Sequence, residues 1–195
     1  MDLLPLFPTA IASFTDFITE EERVELFENI KKINHHKHGF LEGKSFSSHW
    51  ERGRDGVPPQ INVLNNIIRE RVQNSVDEYV KEYGILSCKI TNIWSNIQHS
   101  GSILKEHCHR NSTISGSLYI NANDFICFHN PNPYVFYTAA NSNNYYHCES
   151  YNIPVKSRQL ILFPSWLKHG KNDAPCNMDN RIVISFNTNY MINFE

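Results

Sequence analysis

Two histidines one residue apart, His107 and His109 in the stretch LKEHCHRNSTISGSLYI, stand just ahead of a run that alternates like a β-strand. Side chains at i and i+2 of a strand share a face, so both imidazoles would aim together and Cys108 would point the other way. Imidazole is the commonest metal ligand, and two supply two of the three protein ligands of an open catalytic site. The same pair would also suit a polar strand end. A third ligand must come from elsewhere, and the candidate is His169 in LILFPSWLKHGKN, where an apolar run bends at Pro164 and Trp166 before reaching Gly170. Alone, His169 reads equally as a ligand or as a satisfied surface residue. Further on, Arg181 heads RIVISFN, with Val183, Ser185 and Asn187 on its face. A guanidinium inside a sheet needs an anion. That anion is either a structural Asp or Glu, or a ligand carboxylate held bidentately.

The remaining chemistry-bearing residues point elsewhere. His99, His129 and His147 read as turn or rim residues, and His35, His36 and His38 as a cationic turn favoured by the C-terminal dipole of a preceding helix. The five cysteines, Cys88, Cys108, Cys127, Cys148 and Cys176, form no C-x-x-C pair and read as reduced thiols of a reducing compartment. No P-loop, G-x-S-x-G or dinucleotide fingerprint is present. A formal net charge of -2 argues against nucleic acid or an anionic membrane as partner. The opening MDLLPLFPTAIASF lacks a positive n-region, and no apolar run is long enough to span a bilayer, so a cytoplasmic protein is expected.

The elements that must position these residues are legible in outline. The 195 residues suit one domain. The apolar opening suits an edge strand, a surface on which a homodimer could form. Thr19 with Glu22 makes a capping box, and Val24, Phe27 and Ile30 follow at helical spacing. Residues 34–60 read as loop with a short strand near SFSSHW, and a second helix runs from Pro59 to Tyr83 along Ile61, Leu64, Ile68, Val72, Val76, Tyr79 and Val80, stopped by Gly84. Beyond it KITNIWSNIQ, STISGSLYI, FICFHN, YVFYT, NYYHCESYNI, RQLILFP and RIVISFNTNYMI are short β-branched and aromatic runs split by turn residues. The class is α+β: helical support over residues 15–84 on an antiparallel sandwich or barrel-like double sheet over about 85–192. The HWERGRDG loop and the Asn-rich residues 129–147 are lid candidates.

Taken in order, the H-x-H pair, an apolar strand, a distal histidine and an arginine ten to twelve residues later resemble the Fe(II)- and 2-oxoglutarate-dependent dioxygenases. A branch found in marine bacteria and phages is closer still. It reads W-x-N on a strand, H-x-H followed by SG-x-x-Y, then LFPSW-x-x-H and R-x-x-x-SFN. This chain has Trp94 and Asn96, His107 and His109, Ser115, Gly116 and Tyr119, then LFPSWLKH and RIVISFN. The likeness covers roughly residues 92–190, and LFPTAIA resembles the opening of such proteins.

The resemblance implies a double-stranded β-helix (jelly-roll/cupin-like) core with N-terminal supporting helices. It implies an enzyme that uses Fe(II), dioxygen and 2-oxoglutarate, coupling decarboxylation of the latter to succinate with hydroxylation of a small-molecule or peptide substrate. By position, His107 and His169 would be iron ligands and Arg181 would pair with the distal carboxylate of 2-oxoglutarate. His109, the third metal candidate, stands where the superfamily usually has Asp or Glu, which leaves the site dicationic. Zinc or nickel would also suit such a ligand set. Val183 stands where many members carry Ser or Thr, and Ser185 is the next residue on that face. Asn96 and Tyr119 are further cofactor-binding candidates, or ordinary sheet packing. The rival readings are a three-histidine cupin-type metalloenzyme without 2-oxoglutarate and a non-catalytic jelly-roll binding protein.

Overall fold

Capping chemistry sets both helices. The computed structural model describes residues 8–49, 63–132, 148–171 and 174–190. After strand β1 (Ala12–Phe14), helix α1 (Glu20–Lys31) begins at Thr19, whose hydroxyl accepts the Glu22 N–H while the Glu22 carboxylate accepts the Thr19 N–H at 2.9 Å. Leu26 and Ile30 are its buried residues, whereas Val24 is 47% exposed. Of the expected Val24, Phe27, Ile30 stripe, Ile30 is buried and Phe27 packs against the core, and Val24 is corrected: steps of three lag by about 60° each, so Val24 lies about 120° from Ile30, while Leu26, at i, i+4 from Ile30, is only about 40° away. Helix α2 (Asn66–Tyr83) starts at Asn65, whose side chain accepts the Ile68 N–H, and not at Pro59. Leu64 therefore belongs to the core without belonging to the helix, and Ile61 lies outside the described residues. Gly84 ends α2 in the left-handed region, at φ +74°.

Glu22 also receives both terminal nitrogens of Arg71 at 2.9 Å, tying α1 to α2. The Arg71 guanidinium holds the Glu22 carboxyl below its usual 4.5. A depressed carboxyl contributes stability above its unfolded pKa and loses it as pH falls through the folded one. Glu22→Gln keeps the cap but removes the charge. It should cost up to about 1 kcal/mol near neutral pH, with the difference from wild type vanishing well below pH 4.5, as read by urea unfolding at both pH values.

The remaining strands are β2 (Leu41–Glu42), β3 (Ser45–Ser47), β4 (Cys88–Gln98), β5 (Ile103–Leu104), β6 (Ile114–Asn121), β7 (Asn123–His129), β8 (Ser150–Lys156), β9 (Leu160–Pro164), β10 (His169–Gly170) and β11 (Arg181–Tyr190). Among the described residues they form a six-stranded sheet in the order β1-β9-β6-β11-β4-β3, a three-stranded sheet β10-β7-β8 and the pair β2-β5, with antiparallel pairing throughout. This is the expected α+β double sheet. The strand order is non-sequential, as in a jelly roll. β1 occupies the edge expected of the opening segment. The β core also takes β2 and β3 from the segment read as support. YVFYT and His147 lie outside the described residues, as does most of the two lid candidates, and the NYYHCESYNI strand starts only at Ser150 and runs on to Lys156.

Period-two alternation on β11 divides the core. Ile182, Ile184 and Phe186 join Leu118, Leu160 and Leu162 under the helices. Val183 points the other way, with Tyr119, Ile161 and Phe163, and meets Ile126 and Phe128 of the second sheet. The site lies on this second side. No helix among the described residues is long and apolar enough to cross a membrane.

Candidate active site

Leaving β5, the chain stays extended through His109. His107 and His169 exchange backbone N–H···O bonds of 2.9 Å each, an isolated antiparallel bridge that places the two residues opposite one another. The His109 N–H donates to the Ser165 carbonyl at 2.9 Å. The H-x-H pair therefore lies on a bridged extended segment and not within a regular ladder strand. The ligand atoms of His107, His109 and His169 lie within 4.8 Å of one another. Nδ1 of His107 lies 2.8 Å from the Lys105 carbonyl, and Nδ1 of His169 lies 2.9 Å from the Leu167 carbonyl. A carbonyl only accepts, so each Nδ1 carries the proton and each Nε2 keeps a lone pair for a ligand. Burial pushes all three imidazoles below their usual pKa, His109 to about 3; His107 lowers His109 further, and His107 and His109 together lower His169. They are neutral at pH 7, the form that binds metal.

These rings border a cavity of about 150 Å³, whose wall also includes Arg181, Ser185, Asn96 and Tyr119, so every candidate site residue named from the sequence reaches one space. The Asn96 side chain donates to Ser185 Oγ at 3.4 Å. Tyr119 is buried, with the Arg181 guanidinium 5.5 Å from its ring centre, and burial raises its phenol pKa. Of the two anions left open for Arg181, the structure supplies a protein carboxylate. Asp124 accepts from Arg181 Nε at 2.8 Å and Nη2 at 3.3 Å, and from Lys171 Nζ at 2.7 Å, while Gln98 accepts from Arg181 Nη1 at 2.8 Å.

Asp124 and Lys171 were missed in the sequence, although each carried a signal. Asp124 alternates with the inward Ile126 and Phe128, and Lys171 follows His169 at i+2. The His35–His38 cluster is corrected as well. His35 is partly buried, with Nε2 2.9 Å from Ser95 Oγ, and burial pushes its pKa down, so it is no cationic turn. His38 lines the cavity with His49, their ring centres 5.2 Å apart, and Phe40 stacks on His107 at 4.7 Å. They reach the site because the segment that bears them pairs twice with the β core, β2 with β5 and β3 with β4. His129, paired with Glu106 at 3.3 Å, and His99, 3.5 Å from Asp179, are the rim and turn residues expected.

Residues 92–187 match the protein family described as "Putative 2OG-Fe(II) oxygenase". No curated protein matches the chain at a significant level. Among solved structures, HygX from Streptomyces hygroscopicus with nickel and 2-oxoglutarate bound superposes with a TM-score of 0.63 at 9% identity, over 94% of this chain and 84% of that one. The viral collagen prolyl hydroxylase of Paramecium Bursaria Chlorella virus-1 gives 0.55 at 12% identity over 93% and 96%. A Pseudomonas putida prolyl-4-hydroxylase gives 0.57 at 9% identity over 94% of both chains. At such identities the likeness establishes a shared fold.

Proposed function

We propose, for a chain whose residues 92–187 match the 2OG-Fe(II) oxygenase family, that His107, His109 and His169 hold the iron and that Arg181 anchors the distal carboxylate of 2-oxoglutarate. The observation that carries this reading is the convergence of three neutral imidazoles, within 4.8 Å, on a cavity that also exposes a buried guanidinium. The residues fit both groups. Three uncharged nitrogen donors with free lone pairs suit a divalent metal, and two buried cations against one carboxylate leave a positive charge for an anion.

Bound iron and 2-oxoglutarate supply the oxidising power: one oxygen atom of dioxygen enters succinate as carbon dioxide leaves, and the other enters a C–H bond of the substrate. The protein contributes placement and dryness. The Lys105 and Leu167 carbonyls fix two ring tautomers, and Trp94 and Phe163 pack against His109 and His169 to keep water from the imidazoles. Arg181 orients the cosubstrate, with Asn96 and Ser185 as neutral hydrogen-bonding neighbours on the same wall. The substrate, a small molecule or a peptide side chain, enters past Phe40, His38 and His49.

Anaerobic titration of Fe(II)-loaded protein with 2-oxoglutarate should produce a new visible absorption, and admitting air should release succinate. Absence of both, with metal still bound, would favour the three-histidine reading without 2-oxoglutarate, which His109 in a carboxylate's usual place makes the natural rival.

A further inference from the structure

Lys171, Asp124 and Arg181 form a group at the end of the cavity opposite in character to the histidines. Their side chains are 7%, 2% and 5% exposed. Lys171 and Arg181 line the cavity, and Asp124 does not. Among the described residues no second carboxylate pairs with either cation, so two positive charges share one negative. The spare charge faces the cavity, where burial makes it expensive unless an anion arrives. Hydrogen-bonding capacity agrees. Arg181 uses three of its five N–H groups on Asp124 and Gln98. Lys171 gives one to Asp124, and its ammonium lies 4.5 Å from the Phe125 ring centre. Both cations retain donors, and Asp124, which grips both, fixes the spacing between them.

We infer that Lys171 is a second cationic anchor for the distal carboxylate of the 2-oxo acid cosubstrate, and that Asp124 is the positioning residue that presents Lys171 and Arg181 as a pair. This inference rests on the 2-oxoglutarate reading above. It makes the site selective for 2-oxo acids that end in a carboxylate, because an apolar end would leave the spare charge buried and unmet.

The test is calorimetric binding to Mn(II)-loaded protein, with 2-oxoglutarate and with 2-oxobutyrate, which lacks the distal carboxylate. Lys171→Met should weaken 2-oxoglutarate about 10-fold or more, the scale of a lost charged hydrogen bond, while 2-oxobutyrate and Mn(II) itself bind as to wild type. The double variant Lys171→Met/Asp124→Asn restores the balance of one net positive charge and guards against a folding defect from a half-paired Asp124. Its affinity should stay weak if Lys171 touches the ligand. Recovery to wild-type affinity would overturn the inference, since Lys171 would then be only the counter-ion of Asp124. Unchanged 2-oxoglutarate binding by Lys171→Met, or an equal loss for both 2-oxo acids, overturns it as well. Failure of the metal-loaded wild type to bind 2-oxoglutarate would instead overturn the cosubstrate reading itself.

Discussion

Replacing His107 by alanine should lower metal affinity more than about 100-fold and abolish 2-oxoglutarate-dependent succinate release. The expectation follows from geometry. His107 stands opposite His169 across a two-bond bridge, its Nδ1 proton is committed to the Lys105 carbonyl, and its ring centre lies 4.4 Å from that of His169 and 5.1 Å from that of His109. Removing it leaves two imidazoles, and mutating even the outer partners of metal ligands typically costs 10–100-fold. Metal should raise the unfolding temperature of wild type, since it binds only the folded state, and should no longer do so for His107→Ala. His99→Ala, a turn residue that does not line the cavity, is the control and should load metal normally. Metal content after dialysis, read with the thermal shift, checks both. Wild-type metal retention by His107→Ala would remove the basis of the proposed site.

How much of this was legible in the sequence depended on how local each signal is. The Thr19–Glu22 cap and the Gly84 stop are contacts within a few residues, and they fixed one end of each helix. The start of α2 was misplaced because an apolar periodicity continues through Leu64, a core residue that precedes the cap at Asn65. His107, His109, His169 and Arg181 were visible because period two and family-like order constrain them. The anion facing Arg181 was not, since Asp124 is 57 positions away in the chain and meets it only when the β7 sheet closes over β11. His38 was read by helix proximity, a local rule, while the pairing of β2 with β5 and of β3 with β4 carries His38 and His49 to the cavity. At the site, non-local pairing overrode the local preference.

A glycine supplies the second large effect. Gly170→Ala is expected to cut metal affinity about 10-fold or more without touching a ligand. A Cβ at Gly170 would lie 2.8 Å from both Cα and N of Glu106 and 2.9 Å from the Lys105 carbonyl carbon, closer than side-chain atoms approach backbone. Nothing flexible stands there to yield, so the chain at residues 105–106 must retreat. That chain carries His107, and the bridge joining His107 to His169, with the Lys171 N–H to Leu104 bond of 2.8 Å beside it, is what retreat would break. A misplacement of a few tenths of an ångström at a site whose ligand atoms fall within 4.8 Å changes the ligand set itself. Gly116→Ala provides the contrast. Its Cβ would overlap the Phe186 ring on the helix side of the sheet, a fully buried position where overpacking typically costs about 1–3 kcal/mol. Gly116→Ala should therefore lower the urea midpoint while its folded fraction still loads metal as wild type does, whereas Gly170→Ala should lose metal even where it remains folded. Equal metal binding by the two variants would show that the bridge does not set the spacing of His107 and His169.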